Sequence, residues 1–148
     1  MARIERTARV GWDGNVARGA GTIDAESGAF ARLPFSLPSR IGEPAGKTSP
    51  EELLAAAHAG CLTMSLASEL TTDGTPPGRL DVSCTIVMDE VEDQGHQIVG
   101  SRVEIEARIE GVDGDALQAA VERADEGCPF SQLLRRAGAA VAISARLA

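Results

Sequence analysis

Ser49-Pro50-Glu51-Glu52-Leu53-Leu54-Ala55-Ala56-Ala57-His58-Ala59-Gly60-Cys61 reads as the first half of a long, largely apolar helix, and the rest of the chain is organised around it. Ser49 is a good N-cap, and Pro50 suits the first helical position, where its missing N–H costs nothing. Glu52 completes a capping box with Ser49. Glu51 and Glu52 also favour the positive end of the helix dipole. The spacing predicts a helix to about Thr71, stopped by Asp73-Gly74-Thr75-Pro76-Pro77-Gly78. From Ala55 to Ala67 it has little polar character on any side, so burial on most faces is expected.

Upstream, residues 4–12 alternate and precede Asp13-Gly14, a hairpin-turn dipeptide. Val16 to Ala25 reads as a second strand. Glu26-Ser27-Gly28 is a turn, and Ala29 to Phe35 forms a possible third strand. Residues 36–48 hold two prolines and two glycines and are expected to be a loop. Downstream, Leu80 to Met88 alternates as a strand. Asp93-Gln94-Gly95 turns into another near Gln97 to Ile109, with Val99, Val103, Ile105, Ala107 and Ile109 on one face. Asp113 to Glu126 is an amphipathic helix with Leu117, Ala120, Val121 and Ala124 inward. Cys128-Pro129 starts a short helix ending near Gly138, and Ala139 to Leu147 is a last strand. This order gives an α+β fold with largely antiparallel sheets.

The 148 residues suit one domain, 1–148, and no linker or repeat divides them. With one Trp, three Phe and no Tyr, the core is mostly Ala, Val, Leu and Ile. The net charge of −8 and the absence of a basic cluster argue against nucleic acid or an anionic membrane as partner. No apolar stretch is expected to reach the roughly 18 residues of a transmembrane helix. The first residues lack the apolar run of a signal peptide, so a cytoplasmic location is expected. There, a disulfide that forms is usually transient and catalytic or redox-sensing.

Three cysteines stand in different settings. Cys84 alternates with Val82 and Ile86 in a strand and reads as core packing. Cys61 lies well inside the first helix. It is either a small buried hydrophobe or, given a positive partner, a reactive thiol. The local sequence supplies no such partner. Cys128, in Gly127-Cys128-Pro129, falls at a helix N-terminus, where free amides favour a thiolate; a cysteine that merely caps a helix is the alternative. His58, three residues before Cys61, shares its helix face. Two ligands in His-x-x-Cys make a weak metal site, and nothing supplies the orienting group or oxyanion hole of a cysteine hydrolase. A packed or hydrogen-bonded histidine is expected. Arg18 sits among glycines in Arg18-Gly19-Ala20-Gly21-Thr22, where another backbone or a ligand can come close.

Together, Trp12-Asp13-Gly14 with Arg18 to Thr22, Ser49 to Cys61, and Gly127-Cys128-Pro129-Phe130-Ser131-Gln132 resemble the OsmC/Ohr family of cysteine-based hydroperoxide reductases. The likeness covers nearly the whole chain. His58, the Glu51-Glu52 pair and the Gly-Cys-Pro-x-Ser-Gln form resemble its OsmC branch. Ser49 replaces a frequent asparagine and Gly60 a frequent alanine. The resemblance implies an OsmC-like fold, with antiparallel sheets around a long central buried helix in an intertwined homodimer. It implies Cys61 as peroxidatic cysteine, Cys128 as resolving cysteine, and Arg18 and Glu51 as partners in the site. It also implies organic hydroperoxides as substrates and a lipoyl-type or other small dithiol as reductant, with no cofactor and no metal. The expected wall around Cys61 is apolar, drawn from Leu54, Phe35, Leu37, Phe130 and Leu62.

Glu51 and Cys61 are ten residues apart on one helix, about 15 Å of rise. That is too far for both to touch one arginine directly. Either the helix breaks or Glu51 comes from a second chain, and the apolar helix also needs more cover than one small sheet gives. Both points favour the homodimer. Two other readings of the cysteines remain: a redox sensor that switches shape, and a ligand-binding protein with inert thiols.

Overall fold

The computed structural model describes residues 3–148. The first two residues of the N-terminal segment read above lie outside them. The chain falls into two compact units, divided between Pro50 and Glu51.

The first unit is an antiparallel sheet in the order β1 (Ala8–Asp13), β2 (Ala20–Ala25), β3 (Leu33–Phe35), followed by α1 (Leu37–Ile41). Its strands are shorter than their alternation suggested. Asn15 Oδ1 accepts the amides of Ala17 and Arg18 at 3.1 and 3.0 Å, so Val16 to Arg18 form a turn and β2 starts only at Ala20. Arg32 has a φ of 55° and donates its amide to Asp24 Oδ1, which delays β3 to Leu33. The expected loop over 36–48 contains a helix instead. The Ser36 hydroxyl caps α1 by accepting the Ser39 amide at 3.3 Å, and a proline occupies its first turn. This is the Ser-then-Pro signature of Ser49-Pro50 in a shorter copy, masked by the surrounding glycines and prolines.

The two glycines after Arg18 serve the chain's own packing. A Cβ on Gly21 would sit 2.5 Å from the Phe35 ring and 2.7 Å from the Gly11 carbonyl oxygen. One on Gly19 would lie 2.4 Å from the Asp13 carbonyl oxygen and 2.9 Å from the Trp12 ring. The bare backbone lets Trp12 and Phe35 approach to 5.4 Å between ring centroids. Gly21→Ala should therefore destabilise the fold by about 1–3 kcal/mol through overpacking. Gly11→Ala, with open space around its Cβ, should stay within about 0.5 kcal/mol. Urea-unfolding midpoints of the two variants separate the effects, and equal midpoints would refute the packing argument.

The second unit carries α2 (Pro50–Thr72) from Glu51 onward, β4 (Arg79–Val91), β5 (Gly95–Arg108), α3 (Gly114–Gly127), α4 (Pro129–Arg136) and β6 (Ala140–Leu147). Strands β4 and β5 form a long antiparallel hairpin, and β6 joins β5 in parallel. A bulge shifts the register between Val87 and Met88, which face Gly100 and Ile98 and leave Val99 as the extra residue. The inward row of β5 is therefore Ser101, Val103, Ile105 and Ala107, all buried. Val99, expected on that face, is the bulge's extra residue, and Ser101, which alternation also places there, joins the buried row. These residues pack with Leu62, Leu66 and Leu70 of α2, the predicted stripe Leu117, Ala120, Val121 and Ala124 of α3, and Cys128.

Helix α2 differs from expectation in two ways. At 23 residues it is long and apolar enough, by length and composition, to cross a membrane. This corrects the view that no stretch reaches that size. No Asp, Glu, Lys or Arg lies between Glu52 and Glu69, and the serines, threonine and glycine there interrupt without charge. A core helix has the same composition, and α2 packs three leucines into the core described above. Its burial, however, is one stripe, His58, Leu62, Leu66 and Leu70. On the opposite side Ala56, Gly60, Met64 and Ser68 are exposed, Met64 at 70 %.

Candidate functional site

Three of the residues singled out by sequence lie in the second unit: Glu51 in the first turn of α2, Cys61 near its middle, and Cys128 between α3 and α4. All three cysteines are free thiols. Cys61 is half-buried and Cys128 fully buried. Cys128 lies close enough to the Cys61 thiol to raise its pKa, although the two are 67 positions apart in sequence. Cys84 is engaged elsewhere, with its sulfur 3.2 Å from Ser101 Oγ. The structure thus pairs the two cysteines named for chemistry and leaves the third apart.

Electrostatics divide between the two walls of Cys61. Burial pushes its thiol pKa up, and the neighbouring Cys128 adds to the rise by hydrogen bonding and charge. The backbone N–H of Phe130 opposes them by donating to the Cys61 thiol. That amide belongs to the first turn of α4. Cys128 is the N-cap of this helix, and its side chain makes no capping bond. Sequence reasoning assigned the helix N-terminus to Cys128. In the folded chain an amide from that terminus serves Cys61 as well. The upward influences still dominate, so activating Cys61 at neutral pH calls for a cation.

Within Gly127-Cys128-Pro129-Phe130-Ser131-Gln132, the last four residues each have a physical task. Pro129 starts α4, where the missing N–H is not needed. Phe130 packs against the core cluster and offers its amide to Cys61. Gln132 Nε2 donates to the Glu126 carbonyl at 3.3 Å, at the end of α3. Asp125 and Arg135 form a two-point ion pair across the α3–α4 junction, at 2.9 and 2.6 Å. Ser131 Oγ lies 2.8 Å from His58 Nε2.

His58 is fully buried, with its other nitrogen, Nδ1, 2.8 Å from Ser101 Oγ. Desolvation holds its pKa below the usual histidine value; the nearby Asp125 raises it and Arg135 lowers it further. The imidazole is therefore neutral at pH 7. Both ring nitrogens are satisfied: Nδ1 shares a hydrogen bond with Ser101 Oγ, which also meets the Cys84 sulfur, and Nε2 shares one with Ser131 Oγ, the protonated nitrogen donating and the other accepting. His58 is thus the hydrogen-bonded helix histidine expected from sequence. Its partners were not legible there, because they come from a strand and a helix far along the chain.

The model of the OsmC-like protein family matches residues 42–144. The chain belongs to that family. It is 33% identical to the peroxiredoxin OsmC of Escherichia coli (strain K12) over 132 residues, covering 89% of this chain and 91% of the relative. It is 28% identical to the organic hydroperoxide resistance protein of Xanthomonas axonopodis pv. citri over 131 residues, 87% and 84% of the two chains. Among solved structures, the organic hydroperoxide resistance protein OhrB of Bacillus subtilis superposes with a TM-score of 0.69 at 25% identity, covering 96% and 98%. An OsmC-like protein of unknown function from Vibrio cholerae gives 0.79 at 14% identity over 97% and 100%, a likeness of fold alone.

Two arginines of this OsmC-like chain stand out in the first unit. Arg18 is exposed in the β1–β2 turn, with its amide held by Asn15. Arg40, in the last turn of α1, was not singled out from sequence. It lines a pocket of about 210 Å³ with Trp12, Val16, Phe35, Ser36, Leu37 and Pro50. Phe35 and Leu37, named for the apolar wall, are found there. Leu62 faces the core instead, and Phe130 packs beside that core, as Cys61 does. The signal that could have flagged Arg40 was the unrecognised cap Ser36, which begins the helix that carries it.

Proposed function

We propose that this chain is a peroxidase that reduces organic hydroperoxides to alcohols through Cys61 and Cys128. The observation that carries the reading is the thiol–thiol contact of these two cysteines, with the Phe130 amide on Cys61. The relatives named as a peroxiredoxin and as organic hydroperoxide resistance proteins support it. The Cys61 thiolate attacks the outer peroxide oxygen. The O–O bond breaks, the alkoxide takes a proton and leaves as an alcohol, and Cys61 becomes a sulfenic acid. The Cys128 thiol then attacks that sulfur, a disulfide forms, and water leaves. A dithiol reductant returns two electrons and two protons by exchange.

Arg18 is the proposed cation that stabilises the Cys61 thiolate and hydrogen-bonds the peroxide. Since α2 runs unbroken from Pro50 to Thr72, the Glu51 proposed to orient its guanidinium comes from the second chain of the homodimer. We read the two units as parts of one domain, since solved relatives match nearly the whole chain. We also read the protein as a cytoplasmic homodimer that requires no cofactor or metal. The exposed side of α2, with Met64 at its centre, is the apolar surface such a partner would cover.

The test is turnover of hydroperoxides of increasing alkyl length with a dithiol in excess, alongside hydrogen peroxide. Each buried CH₂ contributes about 0.8 kcal/mol to binding, about a fourfold gain in kcat/KM per methylene until the apolar pocket fills. Equal or better use of hydrogen peroxide would overturn the assigned substrate class. Failure to lose two thiols per equivalent of hydroperoxide would overturn the two-cysteine cycle.

A further inference from the structure

Helices α2 and α4 meet through two side-chain contacts, not one. The first is Cys61 against Cys128. The second is His58 Nε2 against Ser131 Oγ at 2.8 Å. On α2 the two residues are three positions apart, and on α4 and its cap they are also three apart. Such spacing puts each pair on one side of its helix. The imidazole is anchored at its other end to Ser101 of β5, a residue in the middle of the sheet. All three members, His58, Ser101 and Ser131, are fully buried.

We propose that His58 is a positioning residue for the second thiol: through Ser131 it fixes the start of α4 on α2 and so holds Cys128 ready to close on the oxidised Cys61. The role rests on the two-thiol reading above. It concerns the second step of the cycle and not the attack on peroxide. To form a disulfide the two sulfurs must reach about 2.05 Å with a Cβ–S–S–Cβ dihedral near 90°. A Cys128 free to wander with the N-terminus of α4 would meet that geometry rarely. A strut between the sheet and α4 keeps the approach short, which raises the effective concentration of the thiol. Because the imidazole is neutral, the strut brings no charge to a buried site. The Asp125–Arg135 pair ties the same helix to α3, so α4 is held from two sides.

The decisive measurement is the rate of Cys61–Cys128 closure in the full-length protein, followed by acid quench, alkylation and peptide mapping. Two oxidants are used in parallel, a stoichiometric organic hydroperoxide and diamide. Four variants divide the strut. Ser131→Ala removes the link to α4, and Ser101→Ala removes the anchor on the sheet. His58→Gln keeps an amide near the Nε2 position, and His58→Asn keeps one near Nδ1. Ser131→Ala and His58→Asn should slow closure about ten- to hundredfold with both oxidants, as expected for a misplacement of about 1 Å. His58→Gln should recover most of the rate, and Ser101→Ala should be intermediate. Alkylation of Cys61 by iodoacetamide, a readout of the first thiol alone, should fall far less than closure does, since a displaced start of α4 withdraws both the Cys128 thiol that raises the Cys61 pKa and the Phe130 amide that lowers it.

Closure at the wild-type rate in Ser131→Ala would overturn the proposal. So would a parallel fall in Cys61 alkylation and closure, which would mean a general loosening. Because diamide needs no peroxide chemistry, the two readings fail separately. A wild-type protein that closes with diamide but leaves hydroperoxide intact removes the peroxidase assignment and keeps the strut.

Discussion

Cys61→Ser should lose hydroperoxide reduction by several orders of magnitude, because an alcohol at that position is hardly ionised and is a far weaker nucleophile than a thiolate. Cys128→Ala should behave oppositely in the first step. Its side chain is among the influences that push the Cys61 thiol pKa up, by hydrogen bonding and by charge. Removing it leaves burial as the upward influence and the Phe130 amide as the downward one. The Cys61 pKa should fall, its thiolate fraction at pH 7 should rise, and the first equivalent of hydroperoxide should be consumed at least as fast as in the parent. The sulfenic acid then has no internal partner. It should be trapped by a sulfenate-specific reagent and, with excess peroxide, oxidise on to the sulfinic acid. Stopped-flow consumption of one equivalent, followed by mass spectrometry of Cys61, reads both halves. A Cys128→Ala protein with a slower first step and an unoxidised Cys61 would reverse the assignment of the two cysteines.

The second large effect concerns charge. With burial raising the Cys61 pKa, an arginine within about 4–6 Å would lower it by roughly 1–3 units. Arg18→Ala should therefore cut the rate of Cys61 alkylation at neutral pH about ten- to thousandfold and move the midpoint of its pH profile upward by the same 1–3 units. At a pH well above the shifted midpoint the rates of parent and variant should converge, since both are then fully ionised. Arg18→Lys should recover part of the loss, because a compact ammonium cannot bridge a carboxylate and a peroxide as a planar fork does. Glu51→Ala should be milder. Arg40→Ala is the informative companion, given that residue's place beside Trp12 and Phe35 in the apolar pocket. An unshifted profile in Arg18→Ala with a shifted one in Arg40→Ala would transfer the role from the turn to α1.

Much of this was legible because capping and periodicity are local. The start and end of α2 follow from Ser49-Pro50 and from the Gly-Pro run after Thr72. The inward face of α3 follows from the spacing of Leu117, Ala120, Val121 and Ala124. The errors fell where a side chain redirected the backbone. Asn15 closes a turn inside the expected second strand, Asp24 holds the amide of Arg32 out of the third, and Ser36 caps a helix inside an expected loop. Alternation alone could not register these bonds. In the candidate site, Cys61 and Cys128 were visible as two cysteines in unlike settings. The strut was hidden, because Ser101, a polar residue on the same alternating face as Val103 and Ile105, was passed over in an apolar row, and nothing in the sequence marked Ser131 as the partner of His58.

The parallel seating of β6 has a consequence for how the protein comes into being. Strands β4 and β5 can pair as soon as their hairpin has been synthesised, but the third strand of that sheet is Ala140–Leu147, beyond both α3 and α4. A parallel neighbour requires a crossover, here the stretch that contains Cys128. On the ribosome, then, the emerging chain holds Cys61 for 67 residues before Cys128 exists, and the sheet is complete only when the last strand has left the exit tunnel. Until residues 128–130 have been made, Cys61 has neither the Cys128 thiol nor the amide of Phe130 beside it. Under the proposed function, the nascent polypeptide carries its first sulfur well before the groups that would tune it exist.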